Sequence, residues 1–337
     1  MFSDNLITRD ISKETNNTEL VCKVDTNINI NKSLSLNDNE DYLSDYTIQG
    51  DLIIKKKYNK RISEIKCEEY KTMIQSLNIT SKQCINCPMF LISHGQIVEA
   101  NEFPHMAAIG WIHRLSNDSI KYLCAGSLIS DQWVLTSAHC THNRIGKPAV
   151  VKLGSIHLME NSGVIIKIIY IIKHSKFKSP QLYHDIALLK LERQVTFKSN
   201  IQPACLYNKF ETTPAVVWAT GWGSDQNDDY NPRNELMKAK LHVIDNLNCS
   251  FAYNFTAVTP NGITPNMLCA GDLFNDWKSD TCTGDSGSPI QFYHDRGSCL
   301  FDIVGITSFG KLCAVKNIPG VYTRVSHYIG WIEQIVW

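Results

Sequence analysis

An all-β fold closed by one C-terminal helix is what this 337-residue sequence predicts, and three observations carry it. From residue 92 onward, short apolar runs (Val150–Leu153, Val164–Ile172, Ile186–Leu191 and Val216–Ala219) are separated by Gly, Pro, Asn and Asp. That spacing is the texture of a barrel or sandwich built from many short strands. Regular alternation of strands with long helices, which a parallel α/β domain needs, is absent. At the far end, Tyr328, Ile329, Ile332, Ile335 and Val336 recur at helical spacing, so the last residues are expected to form a helix docked on the strands.

What precedes this region differs in composition. All seven Trp, seventeen of eighteen Gly and ten of eleven Pro lie beyond residue 90, the exceptions being Gly50 and Pro88. Residues 1–60 are rich in Asn, Ser, Asp and Lys, with one cysteine (Cys22) and no sustained apolar period. Such a segment cannot bury enough apolar surface to offset its ordering entropy, and disorder is expected. Its acidic run Asp38–Asp45 and its basic runs Lys55–Lys57 and Lys60–Arg61 read as solvated linker rather than docking sites. The expected organisation is low-complexity chain over 1–60, a propeptide linker over 61–91, and the folded unit over 92–337. No internal repeat at solenoid periods is visible.

Lys+Arg and Asp+Glu each total 33, so no global charge draws the chain to nucleic acid or an anionic membrane. The longest apolar stretch, Val164–Ile172, is broken by Lys167 and falls far short of the roughly 20 residues that span a bilayer. Twelve cysteines at irregular spacings fit disulfides in an oxidising compartment, hence a secreted protein. Tripeptides at Asn78, Asn117 and Asn254 match the N-glycosylation pattern and agree with a secreted glycoprotein. The opening residues Met1 to Asn5 lack the basic start and apolar core of a signal peptide. The natural start is therefore expected upstream, or residues 1–60 are not translated as written. Cys84 and Cys87 have no second pair or nearby His to complete four zinc ligands; no metal or cofactor is expected.

Three segments carry chemistry: Leu135-Thr136-Ser137-Ala138-His139-Cys140, Tyr183-His184-Asp185-Ile186-Ala187-Leu188-Leu189, and Gly284-Asp285-Ser286-Gly287-Ser288-Pro289. Each alone has a plain structural explanation. Together, in the order His, Asp, Ser, they resemble the chymotrypsin/trypsin family of serine proteases, whose pattern covers 92–337. The resemblance implies two six-stranded antiparallel β-barrels with a C-terminal helix.

The residue types suit the implied reaction. A Ser hydroxyl is a poor nucleophile at neutral pH and needs a base with a pKa near 7, the role implied for His139 toward Ser286. Asp185 would hold the imidazole in the correct tautomer and stabilise the imidazolium. The backbone N–H groups of Gly284 and Ser286 are implied as the oxyanion hole. Asp280, six residues before Ser286, is implied at the base of the specificity pocket, with Ser308, Gly310 and Gly320 on its walls. An open slot ending in a carboxylate accepts a long cation, so cleavage after Arg or Lys is implied.

Family members are made as zymogens, in which a newly freed N-terminal Ile pairs with the Asp preceding the nucleophile, here Asp285. Pro104 lies twelve residues after Ile92, the family's spacing, so Ile92-Ser93-His94-Gly95 aligns with the activation motif and the cut follows Leu91. Ile97-Val98 has the wrong spacing, and the dibasic Lys60-Arg61 has no Pro at the required distance. A Leu before the cut implies an upstream activating protease with apolar preference and hence a place in a cascade; the resemblance implies a protein substrate that is itself another zymogen, and a protein inhibitor.

Phrases such as Glu102–Gly110, Lys66–Tyr70 and Gly305–Lys311 look like arthropod proteases of the snake and easter type, many of which carry a six-cysteine clip domain. Only Cys22 precedes residue 66, so that domain is missing or incomplete here. The family pattern implies disulfides Cys124–Cys140, Cys249–Cys269 and Cys282–Cys313. It also implies a tether from Cys205 to Cys84 or Cys87, with Cys67–Cys299 as a second link. Ser288 in place of the usual Gly, and the degenerate activation tetrapeptide, keep open an alternative: a catalytically weak or inactive homologue acting as a binding cofactor. Ser288 beside the nucleophile turn is expected to lower the rate.

Overall fold

The computed structural model describes residues 60–76, 95–113, 119–224, 232–253, 256–274, 277, 281–282, 284–294, 300–310 and 315–337. All of them fall in the compact unit Ile53–Trp337. The expectation of disorder over 1–60, the three sequon asparagines, and Cys22, Cys84, Cys87 and Cys299 lie outside the described residues.

Strands of two to ten residues alternate with turns, as the apolar runs require. A two-residue strand β1 (Gln96–Ile97) is followed by β2 (Met106–His113), β3 (Ser119–Leu128), β4 (Trp133–Thr136), β5 (Val150–Leu153), β6 (Val164–Lys173) and β7 (Ala187–Leu191). Strands β2 to β7 close into an antiparallel barrel in the order β2-β3-β4-β7-β6-β5. After the short β8 (Cys205–Leu206) come β9 (Val216–Gly221), β10 (Met237–Ile244), β11 (Met267–Gly271), β12 (Pro289–Tyr293), β13 (Phe301–Phe309) and β14 (Gly320–Arg324). These six strands close into a second antiparallel ring, β9-β10-β11-β14-β13-β12, shut by the β9–β10 pairing. Closure leaves neither barrel with an open edge except where β1 adds to β10 and β8 adds to β13.

Each barrel fills its interior with the inward residues of its strands, Ile109, Trp111, Leu153 and Leu189 in the first and Val217, Leu241, Ile290 and Tyr322 in the second. A third cluster joins the barrels: Leu135, Ile186 and Leu188 of the first pack with Ile303, Ile306, Tyr328 and Ile332. The last two residues belong to the chain's end, where the helix α3 (Ile329–Val336) forms as the spacing of apolar residues requires. A short helix α2 (Asn246–Ala252) is capped by the Asp245 carboxylate, which accepts from Leu247 N and Asn248 N.

The stretch read only as linker contains a fifteen-residue helix, α1 (Ile62–Ser76). Its buried residues Ser63, Cys67, Tyr70 and Ile74 recur at intervals of four, three and four, one stripe of a 3.6-residue period. Tyr70 donates to the Ile129 carbonyl at 3.1 Å, and Cys67 is bonded to Cys205 of β8. The tether from Cys205 therefore runs to Cys67, not to Cys84 or Cys87, and Cys67 is not available to Cys299. Residue spacing alone does not determine which cysteines meet; the helix turns Cys67 toward β8. The dibasic pair ends at this helix start: the Arg61 carbonyl accepts from Glu64 N and Ile65 N, and the Arg61 guanidinium is 2.8 Å from Glu333.

Candidate active site

His139 opens a 3-10 turn, His139–Thr141, directly after β4. Asp185 sits two residues before β7, which pairs with β4 from Trp133↔Lys190 to Thr136↔Ala187. The register of that pair brings the two side chains together: His139 Nδ1 lies 2.7 Å from Asp185 Oδ2, and the His139 amide donates to Oδ1 at 2.9 Å. Asp185 is fully buried. A buried carboxylate needs several donors, and it has a third in the Ser308 hydroxyl at 2.5 Å. The Asp185 backbone carbonyl accepts from Thr323 Oγ1 at 2.8 Å. Burial would lower the His139 pKa, but the Asp185 charge and hydrogen bond outweigh it and hold the imidazole above its ordinary value.

Ser286 lies in a turn whose shape depends on glycine. Gly284 has φ +100° and Gly287 φ +80°, a region L side chains rarely adopt. A Cβ on Gly287 would fall 2.1 Å from Thr136 Oγ1 and 2.4 Å from the Ala125 carbonyl, so only glycine lets the turn rest against β3 and β4. The contact is closed by Ala125 N donating to Ser286 O at 2.9 Å, and Cys140 Sγ, next to His139 in the chain, lies 3.4 Å from the same oxygen. Cys140 is itself bonded to Cys124. The turn is thus fastened to the residues that carry His139. Within it, the N–H groups of Asp285, Gly287 and Ser288 donate to Cys282 O, Thr307 O and Asp285 O.

Ser288 is fully buried, and its hydroxyl is 3.1 Å from Thr307 Oγ1. Its side chain is engaged with β13. Asp285 is also buried, and its carboxylate accepts from Gly223 N at 2.7 Å and Cys282 N at 2.9 Å. Burial pushes its pKa up to about 6, against the pull of these two amides and the charge of Arg233. Gly221 and Gly223 form the wall on this carboxylate: a Cβ on Gly221 would stand 1.9 Å from Oδ1.

Of the residues implied for the pocket, Asp280 lies outside the described residues, as do Leu91, Ile92 and Cys313. Ser308, expected on the pocket wall, directs its hydroxyl to Asp185. A Cβ on Gly310 would meet nothing within 4 Å, while Gly320 pairs with Ala270 inside the second barrel. Cys282 is disulfide-bonded, to a partner outside the described residues. The Cys249–Cys269 bond ties α2 to β11. Two groupings of metal-ligand residues occur among the described residues, and each contains two sulfurs already joined in a disulfide, Cys67–Cys205 and Cys124–Cys140.

Gly221, Gly223 and Thr323 were not singled out from sequence. The two glycines flank Trp222, and that Gly-Trp-Gly spacing was an available signal for a close backbone approach. Nothing local marks Thr323, because its partner is 138 residues away.

The family sequence model described as Trypsin matches residues 92–332. The chain is 40% identical over 287 residues to a protein named Serine protease snk of Drosophila melanogaster, covering 82% of this chain and 65% of that one. It is 34% identical over 268 residues to the Clotting factor G beta subunit of Tachypleus tridentatus, covering 76% and 84%. It is 35% identical over 226 residues to Trypsin II-P29 of Gallus gallus, covering 66% and 84%. The chain thus spans a little under two thirds of the fly relative's length. With a His–Asp pair and a glycine-bound Ser turn meeting between two six-stranded barrels, and a family match running almost from Ile92 to the chain's end, this chain belongs to the trypsin family of serine proteases.

Proposed function

We propose that the protein is a secreted serine endopeptidase zymogen that cleaves protein substrates after Arg or Lys and gains activity when cut after Leu91. The observation that carries the reading is the His139 Nδ1–Asp185 Oδ2 contact of 2.7 Å, fastened beside the Ser286 turn. Ser286 Oγ attacks the scissile carbonyl carbon as His139 takes its proton. The oxyanion so formed is held by the N–H groups of Gly284 and Ser286. His139 then returns the proton to the leaving amine, and water repeats the cycle on the acyl-enzyme. Asp185, with donors from His139 and Ser308 on its carboxylate, stabilises the imidazolium without accepting its proton.

The geometry around Asp285 supports the activation step. β1 begins at Gln96, which pairs with Lys238 of β10. The next residue of β1, Ile97, pairs with Met237, which pairs on its other side with Gly221, and Gly221 lies against Asp285. Ile92 is three residues before Gly95, a reach of about 10 Å for extended chain. An ammonium placed there would neutralise a buried carboxylate that, among the described residues, is met by the Gly223 and Cys282 amides and the charge of Arg233. The cascade setting is supported by the relative named as a clotting-factor subunit. It implies a second zymogen as substrate, an activator that cuts after an apolar residue, and a protein inhibitor as partners.

Hydrolysis of paired Arg and Phe peptide substrates, before and after cutting at Leu91, tests the reading. Activity that appears only after the cut, with Arg preferred and Ser286→Ala silent, is the expected result. If N-terminal sequencing shows Ile92 freed and the wild type still equals Ser286→Ala, the reading is overturned in favour of a binding cofactor.

A further inference from the structure

The residue before Asp185 has an unusual backbone. His184 adopts φ +55°, a left-handed conformation seen in a few per cent of non-glycine residues. The Ile186 amide donates to the His184 carbonyl at 2.9 Å, closing a tight turn that spans Asp185 and leads into β7. The imidazole of His184 is held from two sides. It stacks on His174, with ring centroids 5.0 Å apart and planes 15° from parallel, and its Nδ1 lies 3.0 Å from the Tyr328 hydroxyl.

The direction of that hydrogen bond follows from its neighbours. Tyr328 accepts from Asn266 Nδ2 at 2.6 Å. Burial foremost, with the Asp185 charge, pushes the phenol up to about 12 against the Asn266 hydrogen bond; with Asn266 donating to the phenol oxygen, the phenol proton is assigned to His184 Nδ1, 3.0 Å away. His174 is also an acceptor, its Nδ1 facing the Lys176 amide at 3.4 Å. The edges of Tyr328 and Trp331 close on His174, and His327 stands edge-on to Tyr328. Among the described residues, the charged and titratable groups that act on the pair are Lys176 from its own segment and His327 from the chain's end, with Tyr328 in contact and Asp185 next in the chain. Burial first, then the charges of Lys176 and His327 on both rings and of His174 on His184, hold the pKa values of the pair below the ordinary histidine value.

We propose that His184 is a positioning residue for Asp185, and that proton uptake by the stacked His174–His184 pair releases that position. A proton on His184 Nδ1 turns an acceptor into a donor facing the Tyr328 O–H, so two donors oppose each other. A second proton on His174 adds repulsion within the stack. The turn relaxes, and Asp185 shifts against His139 and Ser308. The proposal rests on the serine-protease reading for its effect on rate. It predicts two steps on the acid side of the kcat/KM profile: loss of the neutral His139 base, and below it a second loss from the pair.

The test compares the activated wild type with His184→Asn, His184→Ala and His174→Ala, following kcat and KM across pH 4 to 8. Asparagine tolerates the left-handed backbone and does not titrate. His184→Asn should recover most of the pH 8 kcat while showing only the His139 step. His184→Ala should lose about tenfold in kcat with KM little changed, the effect of a displaced catalytic group. A His184→Asn enzyme that keeps the second acid step, or a His184→Ala enzyme equal to wild type, overturns the proposal. A parallel arm needs no activity: in Ser286→Ala, the NMR signal of the His139 Nδ1 proton reports its hydrogen bond to Asp185. Adding His184→Asn should remove one of its two pH transitions, and identical titrations overturn the inference even if the reaction reading has failed.

Discussion

One oxygen of Glu333, Oε1, accepts from both the backbone amide of Ser63 at 3.1 Å and the Ser63 hydroxyl at 2.7 Å. The first turn of α1 is therefore satisfied by a carboxylate from α3, 270 residues away. The other oxygen of Glu333 receives Arg61 Nη2 at 2.8 Å. Together with the Cys67–Cys205 bond, this fastens α1 to the body of the fold.

Replacing Glu333 with Gln should loosen the start of α1 by about 1 kcal/mol, the scale of a lost helix cap. Burial alone would raise the Glu333 carboxyl, but the bonds from Ser63 and Arg61 prevail and hold it below its usual value. With the folded pKa depressed, the stabilisation is present above the ordinary carboxyl value of 4.5 and disappears as pH falls through the folded one. Amide hydrogen exchange over residues 62–66 should speed up severalfold in the variant at pH 7 and converge with wild type once the carboxyl is protonated in acid. Unchanged exchange at pH 7 would show that the disulfide and Tyr70 hold the helix alone.

Asp285 has the opposite sign. Its folded pKa, about 6, stands above the ordinary aspartate value of 3.8, so the uncut chain is stabilised below pH 4 and loses that stability as pH rises through 6. The loss is about 3 kcal/mol from the size of the shift. Asp285→Asn, measured uncut in urea, should be more stable than wild type at pH 8 and no more stable at pH 3.5. Cut after Leu91, the same variant should remain inactive. A variant less stable than wild type at pH 8 would mean that the two amide hydrogen bonds, not the buried charge, dominate this site.

Ser288→Gly tests the substitution beside the nucleophile. Sequence reasoning expects Ser288 to slow the enzyme. The structure turns its hydroxyl toward Thr307 inside the fold. The Gly variant should lose about 1 kcal/mol of stability, one buried hydrogen bond, and change kcat/KM by less than a factor of two. A large rise in kcat/KM would show that the Ser288 side chain does reach the nucleophile turn.

By itself the sequence determined the class of fold and the candidate site. Strand-length apolar runs between turn residues can close only as barrels or sandwiches, and His139, Asp185 and Ser286 are legible because their three motifs, in that order, resemble those of the trypsin family, each motif alone having a plain structural explanation. Tertiary structure alone decided who meets whom. Cys205 found Cys67 because a helix aimed one face at β8, a helix whose stripe at Ser63, Cys67, Tyr70 and Ile74 was present in the letters but hidden among polar residues. Glu333, Thr323 and Tyr328 have ordinary local surroundings, and their roles come from partners between 62 and 270 residues away. Local propensity acts over a few residues, whereas pairing across barrels is set by register and packing that exist only once the chain has closed.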